Sequence, residues 1–366
     1  MVDLHISQGL QDRKAVVAMS GGVDSSTCAL ILRQNGWKIV GVSLQVWDYS
    51  KSCKVGALKT CCSPRDFQDA RLVATKLGIP FYVFDVEDEF EARVISKFKN
   101  YYQNGLTPSP CIDCNVFVKF GELLNKATAL GYPRVATGHY ARILSRKGDL
   151  FLARAVDRDK DQSYFLYGLG RRTLSSALFP LGCLTKSYVR QVAENHGLVT
   201  AKKKDSQDLC FIGSSVSDFL SSNSTPVSGV IRHISGRALG IAENVFSFTV
   251  GQRKGLKVSW SKPLFVLKIS PETREIIVGE REYLKVKTFF VTDWVWYEDF
   301  ETTTGFIQVR NRHSGARCLV QKVDSKTVRI TLLDDETHII TPGQAGVLYD
   351  ENNEIILGGG EIRQIS

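Results

Sequence analysis

Ala18-Met19-Ser20-Gly21-Gly22-Val23-Asp24-Ser25-Ser26, directly after the apolar run Ala15-Val16-Val17, decides how this chain is read. An apolar strand ends in Ser-Gly-Gly, and a helical pattern starts at once through Val23, Leu30, Ile31 and Gln34, closed by Gly36. Two adjacent glycines let the backbone come close to a ligand and turn its N–H groups inward. The helix N-terminus behind them adds about half a positive charge. Ser20, Ser25 and Ser26 bring hydroxyl donors, so the turn suits phosphate. No Lys follows the glycines and GxxxxGK[ST] occurs nowhere, which excludes a Walker-type NTPase.

Outward from this turn, short apolar strands alternate with amphipathic helices up to about residue 139. Strands are expected at Ala15–Met19, Ile39–Val46, Phe81–Phe84 and Arg134–Thr137. Ser63-Pro64 supplies an N-cap and an N1 proline for a helix that carries Phe67, Ala70, Ala74 and Leu77 on one face and stops at Gly78. Phe90, Val94, Phe98 and Tyr101 predict another helix before Gly105, and Phe117, Phe120, Leu124 and Ala127 a third before Gly131. Such alternation implies a parallel sheet covered by helices, with ligands at the carboxyl ends of its strands. The Ser20–Ser25 turn and Thr137-Gly138-His139 both fall at such ends. Residues 140–205 read as mixed hairpin and helix, with Thr185–His196 the clearest helix. From 206 to 284 the chain is β-rich (Val245–Val250, Leu264–Ile269, Arg274–Gly279). From 285 onward strands alternate with hardly any helical period: Gly305–Arg310, Arg317–Val323, Val328–Leu333, Ala345–Tyr349 and Glu354–Leu357. That is the pattern of a small antiparallel barrel.

With 366 residues the chain can form two or three domains with proper cores. The N-terminus shows no apolar signal segment, and no apolar run approaches the ~20 residues of a membrane span, so a cytoplasmic protein without a membrane partner is expected. Nine cysteines, an odd number scattered through a large chain, suit thiol chemistry in a reducing compartment. The net charge of +9 is concentrated: residues 140–205 hold 13 Lys/Arg against 6 Asp/Glu, a focus that suits a polyanion such as nucleic acid.

Two thiol clusters stand out. In Thr107-Pro108-Ser109-Pro110-Cys111-Ile112-Asp113-Cys114-Asn115 two prolines stiffen a loop, and two cysteines three apart precede a helix, where a thiol becomes a better nucleophile. A CxxC alone fits a redox pair, half a zinc site or a pair of cluster ligands, but no second pair completes a zinc site. In Ala201-Lys202-Lys203-Lys204-Asp205-Ser206-Gln207-Asp208-Leu209-Cys210-Phe211-Ile212-Gly213, Cys210 follows a lysine run whose place favours a phosphate-facing role. Read locally, Cys210 is a small core residue beside Phe211 and Ile212. Cys53, Cys61 and Cys62 read as non-catalytic, Cys28, Cys183 and Cys318 as core, and Trp294, Trp296 and Tyr297 as core and rim at the start of the barrel.

The SGGxDS turn resembles the PP-loop of ATP pyrophosphatases, which split ATP into AMP and pyrophosphate. In order along the chain follow the Pro-rich CxxCN loop, ATGHYAR (Ala136–Arg142), KDQSYFLY (Lys160–Tyr167), LVTAKKKDS…CFIG (Leu198–Gly213), GQRKGL (Gly251–Leu256), TPGQ (Thr341–Gln344) and LGGG (Leu357–Gly360). Together these resemble the bacterial tRNA-specific 2-thiouridylase family over roughly residues 12–366. The resemblance implies an α/β fold: a parallel-sheet PP-loop (adenine nucleotide alpha hydrolase-like) domain at 1–205, whose 140–205 part faces tRNA, a β-rich connector at 206–284 carrying Cys210, and a C-terminal β-barrel at 285–366. It implies sulfur transfer to C2 of the wobble uridine, U34, in tRNAs for Lys, Glu and Gln. ATP would sit on Ala18, Met19, Ser20, Gly21, Gly22, Val23, Asp24, Ser25, Leu44 and Gly138, with Mg2+ on its phosphates. AMP attached to uridine O2 turns a poor leaving group into a good one. Cys210 would carry sulfur as a persulfide received from a cysteine desulfurase or sulfur relay protein, and Cys114 would be the nucleophilic partner, with a Cys114–Cys210 disulfide as one route of release. Ser109, Pro110 and Cys111 would contact the target base, His139 would help hold the flipped uridine, and Lys160, Asp161, Gln162, Arg312, His313 and Gln344 would contact tRNA.

One position departs from the commonest family pattern, which has an acid–base Asp where this chain has Cys111. Asp113 is the nearest carboxylate, two residues on. Three thiolates at Cys111, Cys114 and Cys210 also admit an alternative, a [4Fe–4S] cluster with one open iron. Two further alternatives are a PP-loop ligase acting on a small molecule, which leaves the basic stretch and the β-rich tail unexplained, and a non-catalytic tRNA-binding module, against which the intact Ser20, Gly21, Gly22, Asp24 and Ser25 argue. Residues 206–222 are the segment expected to order on tRNA binding.

Overall fold

The computed structural model describes residues 12–47, 64–204, 209–212, 215–223, 225–336 and 338–365. Ser63, Cys53, Cys61, Cys62 and part of the 206–222 segment lie outside the described residues. The chain packs as two compact units, each discontinuous in sequence. Described residues up to Val94 group with those from Cys111 to Ile212, and Ile95–Pro110 groups with those from Ser215 onward.

The first unit is built on a parallel sheet. Its strands are β1 (Lys14–Ala18), β2 (Lys38–Gln45), β3 (Phe81–Asp85), β4 (Val135–Ala136) and, after the antiparallel hairpin β5 (Ala141–Arg146) and β6 (Asp149–Arg154), β7 (Ala177–Leu178). Their order is β3-β2-β1-β4-β7 with every pairing parallel. Ala15 and Val17 of β1 pack with Cys28, Ile31 and Leu32 of α1 (Val23–Gln34), Ala70, Val73 and Ala74 of α2 (Pro64–Leu77), and Val189 and Ala193 of the Lys186–Asn195 helix. That last helix starts where expected, with the Thr185 hydroxyl accepting from the Tyr188 N–H. Strand order reverses between β1 and β4, and the crevice at such a reversal is where open α/β sheets bind ligands. The two strands lead into Ser20-Gly21-Gly22 and Thr137-Gly138-His139.

The helix predicted through Phe90–Tyr101 is not continuous. Glu87–Phe90 runs into wider π-type turns over Glu91–Ile95 and then into Ser96–Gln103, and the chain passes from the first unit to the second between Val94 and Ile95. The helix predicted around Phe117–Ala127 starts earlier, at Pro110, and widens likewise over Cys114–Glu122.

The second unit holds two β structures. In the first, β8 (Gly229–His233), β9 (Ala238–Ala242), β10 (Phe265–Ser270) and β11 (Glu275–Gly279) form a sheet of order β10-β11-β8-β9 around Val245, Val266, Ile276 and Val278. The strand expected at Val245–Val250 is instead a single turn, Val245–Ser247. The Asn244 side chain accepts from the N–H groups of Phe246 and Val227 and bends the chain there. In the second, β12 (Thr288–Trp296), β13 (Thr302–Gln308), β14 (Ala316–Lys322), β15 (Val328–Leu332), β16 (Ala345–Tyr349) and β17 (Ile356–Ile365) close into an antiparallel barrel ordered β12-β15-β14-β13-β16-β17. Trp294 and Tyr297 are core and Trp296 is half-buried, as the alternation predicted.

Candidate active site

Gly22, the residue that caps α1, has no side chain to occupy the first-turn N–H groups of the helix. Gly21 and Gly138 are demanded by packing as well as by any ligand. Gly21 has φ of 70°, and a Cβ there would lie 2.3 Å from the Asp66 carbonyl oxygen of α2. A Cβ on Gly138 would lie 2.7 Å from the Ser25 nitrogen, so the turn after β4 presses directly on the start of α1. Ser25 Oγ accepts from the Ser20 N–H (3.1 Å) and lies 3.3 Å from Ser20 Oγ, holding the loop closed. The expectation of Ser25 and Ser26 as hydroxyl donors to a ligand is corrected: both are buried and donate to the Gly22 carbonyl, at 3.2 and 2.8 Å, back-bonds that occupy their hydroxyl protons within the helix. Leu44 is buried on β2, beside Ser43, whose hydroxyl donates to the Met19 carbonyl.

Two residues that sequence reasoning did not assign, Tyr140 and Lys186, surround this turn together with Lys203 of the lysine run. Asp24 receives the Lys186 ammonium on both carboxylate oxygens (2.7 Å each) and the Tyr140 hydroxyl on one (2.8 Å). Lys186 is nearly buried, with its ammonium 5.7 Å from the centre of the Tyr140 ring. Lys203 donates to the Gly21 carbonyl (2.9 Å), to Asp66 (2.5 Å) and to Asp69 (2.7 Å). Against the expectation for the lysine run, the half-exposed Lys203 is held by protein carboxylates, and although burial works to lower its pKa, Asp66 and Asp69 raise it above the ordinary value. Tyr140 lies in the ATGHYAR motif, so its part was within reach; Lys186 lies 162 residues from Asp24 and carried no local signal.

His139 sits at the other mouth of the crevice. Its Nδ1 is 2.8 Å from Thr137 Oγ1, and Phe179 meets its ring edge-on. Burial first, and then the nearby Lys119 cation, hold its pKa well below the ordinary 6.5, so the imidazole is neutral at physiological pH. Lys119 is itself steered by Asn115, whose Oδ1 accepts from its ammonium (3.0 Å) while its Nδ2 donates to the Phe165 carbonyl (2.9 Å). The Asn of the CxxCN motif is therefore a buried strut.

The thiols divide clearly. Cys111 and Cys114 are half-buried on one helical stretch, while Ile112, Asp113 and Asn115 are turned inward. Asp113 is thus buried on the helical stretch whose Cys111 and Cys114 are partly exposed. Cys210 is half-buried beside the half-buried Leu209 and the buried Phe211 and Ile212; Phe211 meets Phe90 edge-on at 5.9 Å. Residues 209–212 pack with the first unit, although the sequence reading opened the connector at 206. Cys28 and Cys318 are core thiols whose pKa values burial pushes up, that of Cys318 to about 12. Cys183 is exposed, contrary to expectation, because Leu181 and Leu184 take the inward positions of its turn. Among the described residues no group of three or more His, Cys, Asp or Glu side chains is placed to hold a metal ion, so Cys111, Cys114 and Cys210 do not form the ligand set that a [4Fe–4S] cluster requires.

Several residues expected to touch RNA have internal partners. Asp161 is paired with Arg154 at 2.8 Å, both side chains under a tenth exposed, and also accepts from the Ala155 and Ser163 N–H groups and the Ser163 hydroxyl. Gln162 and Tyr140 exchange two hydrogen bonds, 2.8 and 3.0 Å. Lys160 is half-buried at the end of the Arg158–Lys160 turn. In the second unit Gln344 donates to the carbonyls of Thr107 and Pro108 (3.1 Å each), steadying the loop that leads into half-buried Ser109 and buried Pro110. Gly315 N–H donates to His313 Nδ1, so the other ring nitrogen, Nε2, donates to His338 Nδ1 (3.0 Å), and His338 donates in turn to Asp334 (2.9 Å). Arg312 beside it is exposed.

An uncapped helix N-terminus at the switch point of a parallel sheet, with accessible thiols in the same unit and a closed β-barrel in the other, defines a PP-loop nucleotide-binding protein with appended β domains. Comparison with known proteins agrees. The domain family described as "tRNA methyl transferase HUP domain" matches residues 13–214, a "PRC-barrel domain" of the same name matches 217–280, and an "aminomethyltransferase beta-barrel domain" matches 286–362. The tRNA-specific 2-thiouridylase MnmA of Leptospira interrogans is 40% identical over 95% of this chain and 94% of its own; that of Geobacter metallireducens is 43% identical over 96% of each. This chain belongs to the tRNA-specific 2-thiouridylase family. Among solved structures, NMN synthetase from Francisella tularensis is 18% identical with a TM-score of 0.35, covering 55% of this chain and 69% of that one, too remote to bear on the argument.

Proposed function

We propose that this protein thiolates C2 of the wobble uridine in tRNAs for Lys, Glu and Gln, using ATP. The observation that carries the reading is the near-full-length similarity, 40–43% identical over 95–96% of this chain, to relatives named for this activity. The domain descriptions speak of methyl transfer, but a turn built for phosphate and accessible cysteines suit adenylation and sulfur transfer instead.

In this reading the α1 N-terminus and Ser20 bind the triphosphate, Mg2+ arrives on it, and Lys186 adds positive charge where pyrophosphate departs. Uridine O2 attacks the α-phosphorus, and pyrophosphate leaves. The terminal sulfur of a Cys210 persulfide attacks C2. AMP leaves with the electron pair of the C2–O2 bond, so Cys210 is linked through sulfur to the base. The Cys114 thiolate then attacks the Cys210 sulfur, forming a Cys114–Cys210 disulfide and releasing the second sulfur on C2 as 2-thiouridine. A cellular dithiol must reduce that disulfide before the next turnover, and a persulfide-bearing donor protein must reload Cys210. Both requirements put the protein in the reducing cytoplasm with its tRNA. Neutral His139 hydrogen-bonds or stacks on the flipped base without adding charge. Cys111 is accessible beside Cys114 and touches the base without entering the sulfur transfer.

The test is nucleoside mass spectrometry on U34 transcripts supplied with ATP, Mg2+ and a persulfide-generating desulfurase. Wild type and Cys111→Ser should yield 2-thiouridine, whereas Cys114→Ser and Cys210→Ser should yield none. Loss in all three variants would point back to a three-thiolate cluster. ATP turnover without any thiolated base in wild type would point to a small-molecule ligase.

A further inference from the structure

We propose that the loop Gly251–Pro263 of the second unit is a built binding surface for the phosphates of tRNA, separate from the anticodon chemistry. Arg253, Lys254, Lys257 and Lys262 lie in this loop, which contains no Asp or Glu, and all four are exposed. Among the described residues Arg253, Lys254 and Lys262 meet no carboxylate, and Lys257 has only a loose contact with the fully exposed Glu243 at 3.6 Å. Arg237 adds a fifth cation, lying 5.7 Å from the centre of the Trp260 ring.

The loop belongs to no strand or helix, yet it is pinned along its length. The Gly251 N–H donates to the Val266 carbonyl and the Val266 N–H to the Gln252 carbonyl. The Gln252 side chain accepts from the Thr249 N–H and donates to the Lys254 carbonyl. Gly251 has φ of 87° and lies so near Ile339 that a Cβ would be 2.3 Å from its Cγ2. Lys257 is itself held in left-handed backbone, φ 53°, a conformation that persists in a lysine only where the surroundings impose it. Leu256 and Leu264 are buried, and Val258 and Trp260 pack on the same core. The Trp260 ring stacks on His233 at 4.4 Å, and its N–H donates to Glu280.

The fully exposed positions are Arg, Lys, Ser, Gly and Pro, around a cleft of about 490 Å³ whose floor is the half-buried Val258 and Trp260 and the buried Leu256 and Leu264, and whose rim is Arg253, Lys257 and Lys262. An interface for another protein would be poor in lysine. Cations and hydroxyls on a fixed backbone match the donors that hold phosphates. The inference rests on tRNA being the substrate.

The test is binding of U34-containing tRNA transcript to the full chain, wild type against the triple variant Arg253→Gln/Lys254→Gln/Lys262→Gln, over a salt series. Affinity should fall at least about 10-fold near 0.15 M salt, and the slope of log affinity against log salt should become shallower by about 2–3, roughly 0.9 for each lost phosphate contact. The melting temperature should not move, since the three side chains have no ion-pair partner to lose among the described residues. Unchanged affinity and slope in the variant, with wild type binding tRNA, would overturn the proposal and leave a solvated loop. Unchanged tRNA binding with impaired sulfur delivery from the donor protein would overturn it in favour of an acidic protein surface. Failure of wild type to bind tRNA would instead refute the function on which it rests.

Discussion

In the first unit Arg154, Arg171, Lys186 and Lys203 each end on a carboxylate: Asp161, Asp149, Asp24, and Asp66 with Asp69. In the second unit's loop, Arg253, Lys254 and Lys262 end on none among the described residues. Both stretches are basic in sequence, yet the first directs much of its charge inward and the second directs it out. The stretch with the larger count does contribute exposed cations, Arg146, Lys147, Arg172, Lys202 and Lys204. Two of its cations, Lys186 and Lys203, neutralise acids beside the phosphate turn, and Arg154 neutralises the buried Asp161. Net charge along a sequence therefore measures two quantities at once, internal neutralisation and surface field, and only burial separates them.

The contrast breaks most visibly at Arg154. Arg154→Met should leave Asp161 charged and buried, lowering stability by about 3–5 kcal/mol in urea unfolding. A loss under about 1 kcal/mol would mean that the pair belongs to the surface after all. Lys186→Met should slow tRNA-dependent pyrophosphate release by about 10²-fold, the usual loss when one electrostatic contact to a developing charge is removed. Normal release would reduce Lys186 to a structural partner of Asp24. The smallest effect sharpens the comparison through Lys119, another cation of the first unit. Because His139 titrates below its ordinary 6.5 when folded, its contribution to stability is complete above that pH. It is lost as pH falls from 6.5 toward the folded value, since the unfolded chain takes the proton first. The fall in melting temperature between pH 7.5 and 5.5 should shrink in His139→Gln; an undiminished fall would place the titration elsewhere.

The fold was legible wherever periodicity was local. β1, α1 and the Thr185-capped helix lie within two residues of their sequence expectations, because Gly, Pro and Thr punctuate them. Boundaries failed where a side chain outcompeted the pattern, as Asn244 does, or where wider turns divide one amphipathic run between two units, as at Glu91–Ile95. At the site, the glycines announced themselves because close backbone approach permits little else. Lys186, Lys203 and Asn115 did not, because their partners are remote in the chain or are backbone carbonyls that any residue could offer. Asp161, Gln162 and Gln344 carry motif signals, and the protein itself uses those side chains to fix the neighbouring backbone.

The passage of Ile95–Pro110 into the second unit has a consequence for how the chain is made. Phe98 and Tyr102 are buried there, Phe98 against Phe219 and Tyr102 near Thr249, and Tyr101 donates to Glu361. On a ribosome delivering residues in order at about 5–20 per second, these three aromatic rings emerge long before their partners do. The nascent first unit must therefore hold an apolar segment in solvent for several seconds, and that interval is when a trigger chaperone or premature self-association would find it.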